Sequence, residues 1–107
     1  MNRNRWLTRL TTSCALALGM SAAHADGDIV CGAGPQEGWQ PLKALKKKAW
    51  LERWEIVEMK IEGDCYEVYA RTESGQVIEA FFHPETLDKL VVLRRGQEIY
   101  RAPGFEG

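Results

Sequence analysis

The sequence predicts an α+β domain in which one helix packs on a three- to four-stranded antiparallel meander sheet, with an N-terminal arm tethered by a disulfide. Three observations support this: one segment has apolar residues at helical spacing, the next alternates apolar and polar residues between glycine turns, and two cysteines remain beyond a predicted leader. A chain of 107 residues has room for one domain. We divide it into a leader (1–25), an arm (26–40), an α+β domain (41–95) and a C-terminal tail (96–107).

Residues 1–25 have the three parts of a cleavable signal peptide. The first nine residues carry three arginines and no acid, the uncharged run Leu10–Met20 follows, and Ala23 and Ala25 occupy positions −3 and −1 of a cleavage site. The run is shorter than the roughly 20 residues that span a bilayer. We therefore expect export through the bacterial general secretory pathway, a periplasmic or secreted location and no transmembrane segment after cleavage.

Cleavage changes both the charge and the cysteine count. It removes three arginines and no acid, so the formal charge falls from −1 to −4, which argues against a nucleic-acid partner. Cys14 leaves with the leader, and Cys31 and Cys65 remain as a pair. In an exported domain such a pair is most simply a structural disulfide, worth roughly 3–4 kcal/mol in the chain-entropy model. The alternative, two free thiols for metal or redox chemistry, lacks a CxxC spacing.

The helix is predicted from Pro41 to about Arg53. Proline suits the first helical turn, and Leu42, Leu45 and Ala49 then share one face. The opposite side carries a cluster of basic residues, Lys43, Lys46, Lys47 and Lys48. Two interpretations of this cluster stay open, a solvated helix face or a contact with anionic lipid or polysaccharide.

The first two strands form a hairpin whose register follows from its turn. Gly63-Asp64 fits a two-residue type II′ turn with glycine at the first central position. The turn sets apolar residues opposite apolar ones and a base opposite an acid: Ile61 with Tyr66, Lys60 with Glu67, Met59 with Val68 and Val57 with Ala70.

The second turn is predicted as the three-residue loop Glu73-Ser74-Gly75, with Gly75 at a left-handed position. This loop places Ala70 opposite Ile78. A two-residue loop would place Ala70 opposite Glu79 and set an inward residue against an outward one, so we reject it. One sheet face is then apolar throughout and is covered by the helix: Val57, Met59, Ile61, Tyr66, Val68, Ala70, Ile78, Ala80 and Phe82.

The third strand is predicted to end at Pro84, because proline cannot donate to a central ladder. A turn begins at Pro84-Glu85-Thr86, and Leu90–Leu93 is predicted as a fourth strand. The polar tail after Gly96, in which Tyr100 and Phe105 are interspersed, is expected to be loose or draped over the sheet.

Residues 65–87, CYEVYARTESGQVIEAFFHPETL, resemble the PepSY family, which is found in propeptides of secreted metallopeptidases and in small stand-alone envelope proteins. The matching features are the Tyr-Glu-Val core at 66–68, Gly75, the acidic-apolar strand at 79–82 and the Pro-x-Thr turn at 84–86. The arm sequence at 31–35 and Trp39 also resemble small exported members that pair such a cysteine with the one before Tyr66. The resemblance covers most of residues 31–93.

The chain departs from the family pattern at two turns. Many members have Gly-Tyr between helix and first strand, where this chain has Arg53-Trp54, and Gly after the last-turn threonine, where this chain has Leu87. The resemblance implies a helix on an antiparallel sheet, no catalytic residues and a role in inhibiting or regulating a peptidase or another envelope protein. The alternative function is that of an accessory factor in an envelope redox or metal system.

The mature residues offer few groups for catalysis. A nucleophilic triad needs Ser or Cys beside His, but Ser74 and His83 lie about four residue pairs apart in the predicted register. One histidine and a paired set of cysteines make a metal site improbable. We predict no enzymatic activity and no cofactor.

The sheet face away from the helix carries the predicted partner surface. Its central residues are Tyr69, Arg71, Glu79 and Phe81, and tyrosine, arginine and phenylalanine are types enriched in interfaces. Two interpretations stay open: the surface is exposed and binds an envelope protein, or the fourth strand and tail fold over it and bury Phe81 with Tyr100 or Phe105.

Overall fold

The computed structural model describes residues 29–107, so the predicted signal peptide lies outside the described residues. The described chain forms one helix and one antiparallel sheet with strands in sequential order. The bounds are α1 Leu45–Glu52, β1 Glu55–Glu62, β2 Cys65–Arg71, β3 Val77–Phe82, β4 Lys89–Arg94 and β5 Gln97–Arg101.

The α-helix begins four residues later than predicted, after a 3₁₀ turn, and ends at a left-handed residue. Pro41 caps a short 3₁₀ turn, Leu42–Ala44, which runs directly into α1. Leu45 and Ala49 are buried against the sheet, which confirms the predicted inward face. Arg53 ends α1 with φ 64°, a conformation in which glycine is favoured. Within residues 29–107 no helix has the length and apolar character needed to cross a bilayer.

Both hairpins have the predicted register, with one correction in β1. Met59 pairs with Val68, and Ala70 pairs with Ile78 across the three-residue loop, where Gly75 has φ 88°. The predicted pairing of Val57 with Ala70 is wrong: Ile56 pairs with Ala70. A bulge lies between Ile56 and Glu58, and Val57 is 60% exposed, because the extra residue of a bulge has no partner across the ladder.

The fourth strand is confirmed, and a fifth strand corrects the predicted sheet of three to four strands. Arg95-Gly96 forms a two-residue turn in which both residues have positive φ, 53° and 77°, as a type I′ hairpin requires. β5 then pairs antiparallel with β4, so residues 97–101 are neither loose nor draped.

Each face of the sheet has its own core. The helix-side face buries Tyr66, Val68, Ala80 and Phe82 beneath Leu45. The opposite face, called the outer face from here on, carries a smaller core around Phe81, with Leu90, Val91, Leu93, Cys31 and Cys65. The predicted Cys31–Cys65 disulfide is formed, with the two Cα atoms 5.4 Å apart.

Candidate functional site

The N-terminal arm is held on the sheet by a carboxylate as well as by the disulfide. The Asp64 side chain accepts backbone N–H bonds from Cys31, Gly32 and Ala33 at 2.9, 2.8 and 3.0 Å. Burial alone would raise the pKa of Asp64, but the hydrogen bonds from these backbone amides lower it below its usual value. The sequence identified Asp64 only as a turn residue, because nothing in the arm signals which amides it would bind.

The outer face is partly covered, and the cover comes from both ends of the described chain. Phe81 is 1% exposed, and its cluster is packed against Ile29, Ala102 and Phe105. The second interpretation of this face, in which the fourth strand and tail bury Phe81, is therefore correct, and Phe105 packs against the cluster that contains Phe81. Tyr100 instead packs on the helix-side core, because its partner in the register, Val92, faces that side. Phe81 is thus not available to a partner.

The other three residues of the predicted partner surface remain accessible to different degrees. Tyr69 and Glu79 are half-buried and face each other across the β2–β3 ladder, and Arg71 is exposed beside them. Arg71 Nε lies 3.9 Å from a carboxylate oxygen of Glu55 on β1. Lys60 Nζ lies 5.4 Å from the centre of the Tyr69 ring. The open part of the outer face is therefore a charged strip along β1 and β2 with one aromatic ring at its centre.

A buried carboxyl group, Glu67, lies beneath this strip, on the sheet face away from the helix. Its side chain is 1% exposed, and Oε2 has no hydrogen-bond partner among the described residues. The nearest described cation is Lys60, with Nζ 4.0 Å from Oε1. Burial, followed by the neighbouring Glu79 carboxyl, raises the pKa of Glu67 to about 7. Burial and the same two carboxyls raise the pKa of Tyr69 above its usual value.

A carboxyl group with a pKa near 7 has the proton affinity that general acid–base catalysis needs. Such catalysis also requires that the group touch its substrate, and a side chain that is 1% exposed does not. We therefore interpret Glu67 as a buried group of the fold. Phe81 lies opposite Glu67 on β3, and this apolar neighbour, distant in sequence, could have indicated its burial.

The side chains with potential for metal or redox chemistry are bonded to other groups of the chain. Donor atoms of Cys31, Asp64 and Cys65 lie within 4.8 Å of one another. The two sulfurs are bonded to each other, so neither is the thiolate that a metal requires, and Asp64 is occupied by the arm. His83 Nδ1 accepts the backbone N–H of Glu85 at 3.1 Å and caps the turn after β3.

The two edges of the sheet differ in how open they are. β1 is eight residues long and has exposed apolar side chains at Val57 and Ile61. β5 has five residues and a bulge at Ile99, and its Arg101 bonds the backbone oxygens of Phe105 and Gly107. In the part of the chain that the structure describes, β1 is thus the longer strand with a free edge, next to the charged strip.

The chain matches a known family. The family model described as peptidase propeptide and YPEB domain, PepSY_2, matches residues 9–91, which is most of the chain. Neither a curated protein nor a solved structure matches the chain.

Proposed function

The chain belongs to the PepSY domain family, and on this premise we propose that it is a non-catalytic, periplasmic or secreted module that binds and regulates a peptidase or another envelope protein. The family match carries the proposal, because a propeptide domain acts by binding the peptidase that it accompanies. The disulfide supports the proposed location, since such bonds persist in oxidising compartments outside the cytosol.

We place the partner surface on the charged strip and the adjacent β1 edge. Tyr69 and Arg71 are residue types that dominate binding energy in interfaces, and they lie one strand from the free edge. An extended segment of the partner would add to β1 through main-chain hydrogen bonds, and side chains of the strip would select it. The exposed glutamates of β1, Glu55 and Glu58, favour a partner segment with basic residues.

The test uses purified mature protein and exported peptidases of the organism that produces it. Wild type should bind one of them in a 1:1 complex and slow its cleavage of a peptide substrate. Tyr69→Ala with Arg71→Ala should weaken both effects at least tenfold. Ile61→Lys, on the β1 edge, should do the same, whereas the matched change Ile99→Lys on β5 should not. Equal behaviour of the two edge variants would remove the proposed surface.

Phe81→Ala is not a usable probe of this surface. Phe81 is buried in the outer-face core, so its truncation is expected to cost about 3–5 kcal/mol of stability. Loss of binding in that variant would report unfolding and not a lost contact.

A further inference from the structure

The outward face of the helix combines basic and apolar residues that the proposed partner surface does not use. From this face we propose a second binding site: α1 and its preceding turn bind anionic phospholipid headgroups at a membrane surface. The proposal goes beyond the regulatory function and does not depend on it.

The orientation of this face is fixed by the core. Leu45 and Ala49 are buried on the sheet, so residues on the other side of the helix must point to solvent. Lys46, Lys47 and Trp50 occupy that other side within α1, and Lys43 lies in the 3₁₀ turn before it. The basic groups are therefore held together by a packed helix.

The lysines of this face have no acidic partner among residues 29–107. Among the described lysines, Lys60 and Lys89 form ion pairs, and the four in the helical segment form none: Lys43, Lys46, Lys47 and Lys48. The nearby acid of the helix, Glu52, is bound to Lys89 Nζ at 2.8 Å. The local cluster of lysines complements an anionic surface, even though residues 26–107 as a whole carry a formal charge of −4.

Two large apolar side chains extend the basic face at its C-terminal end. Trp50 is 73% exposed and Leu51 is 60% exposed. They line an open cleft of about 510 Å³, with Trp54 and the ion pair of Arg53 and Glu73. Tryptophan prefers the boundary between headgroups and hydrocarbon, and lysines beside it meet lipid phosphates.

The combination distinguishes a lipid surface from a polysaccharide or an acidic protein. Lysines alone would suit any of the three, but exposed Trp50 and Leu51 gain most from a surface with an apolar layer beneath the charge. Docking through α1 also turns the outer face, with Tyr69, away from the membrane, because helix and strip lie on opposite faces of the sheet. A membrane-bound molecule could thus still bind its protein partner.

The experiment measures sedimentation of the mature protein with vesicles. We expect strong binding to phosphatidylcholine vesicles containing about one third phosphatidylglycerol, little binding to pure phosphatidylcholine, and release at high salt. We expect vesicle binding to weaken about 100-fold in the triple variant Lys43→Gln, Lys46→Gln and Lys47→Gln, because each lysine contributes a factor of roughly five to the affinity. The matched control, Arg94→Gln with Arg95→Gln, removes charge at the far hairpin and should change binding less than twofold.

A second variant tests the apolar part of the site. Trp50→Ala with Leu51→Ala should weaken vesicle binding at least tenfold and abolish quenching of the protein's fluorescence by brominated lipid chains. These side chains are exposed, so circular dichroism should show an unchanged fold for every variant. Binding that is equal for the two lipid compositions, or equally weakened in the control, would overturn the proposal, as would capture of acidic polymers without vesicles.

Discussion

Replacing Glu67 with glutamine removes a buried ionisable group while keeping its shape, and the effect should depend on pH. The pKa of Glu67 is raised from 4.5 to about 7 in the folded chain. The folded state therefore binds this proton more tightly than the unfolded state, and the resulting stability is complete below pH 4.5 and is lost as the pH rises through 7. Between pH 5 and pH 8 the unfolding free energy of the wild type should fall by about 2–3 kcal/mol because Glu67 loses its proton.

Lys60 Nζ, 4.0 Å from Oε1, favours the ionised form of Glu67, but burial and the Glu79 carboxyl outweigh it and the pKa is raised. Glutamine stays neutral, so Glu67→Gln should match the wild type at pH 5 and exceed its unfolding free energy by up to about 2–3 kcal/mol at pH 8. The assay is urea unfolding followed by tryptophan fluorescence at both pH values.

Comparing the two proteins cancels the titration of every group that they share. Glu58→Gln removes an exposed glutamate from the same face and serves as the control, with no difference expected at either pH. A Glu67→Gln variant that is less stable than wild type at pH 8, or that differs equally at both pH values, would refute the reasoning.

The remaining predictions concern the arm and the two turns. Cys31→Ser with Cys65→Ser opens a loop of 34-residue separation and should lower the unfolding free energy by about 4 kcal/mol in chemical denaturation. Asp64→Asn should lower the unfolding free energy at pH 7 by about 1–2 kcal/mol. The wild type should lose this stability as the pH falls below 3.8, because the pKa of Asp64 is lowered in the folded state, whereas the variant should show no such loss in an acid titration. Arg53→Gly should increase the unfolding free energy by about 1 kcal/mol, and with it the melting temperature, since φ 64° suits glycine. Leu87→Gly should lower the unfolding free energy by about 2–4 kcal/mol, because the leucine side chain is buried in the core. This loss outweighs the gain from placing glycine at φ 63°.

The sequence was most informative where turn chemistry fixes a register. Gly63 and Gly75 each require a particular turn, and alternation on either side of the turn then leaves one pairing that keeps apolar residues on one face. The pairs around Val68 were predicted correctly for this reason. The bulge at Val57 was missed, because Val57, Met59 and Ile61 alternate regularly and the bulge places Ile56 inward without breaking that pattern.

The fifth strand and the buried carboxyl were missed for different reasons. β5 has one half-buried apolar residue, Tyr100, and its bulge exposes Ile99, so no alternation is visible; Arg95-Gly96 was the one available signal. Glu67 is buried by residues distant in sequence, and a polar residue in an outward register predicts exposure. Arg53 and Leu87 stand where many family members have glycine, and both have a left-handed backbone conformation. The resemblance alone could not show this conformation.

The most direct test of the regulatory role is site-specific photocross-linking in the native compartment. A photoreactive amino acid at position 69 should form an adduct with one exported peptidase or envelope protein, whereas the same amino acid at position 99 should not. The adduct should disappear when Arg71→Ala is added. A chain that is folded and exported but yields no adduct at position 69, or the same adducts at both positions, would contradict the account.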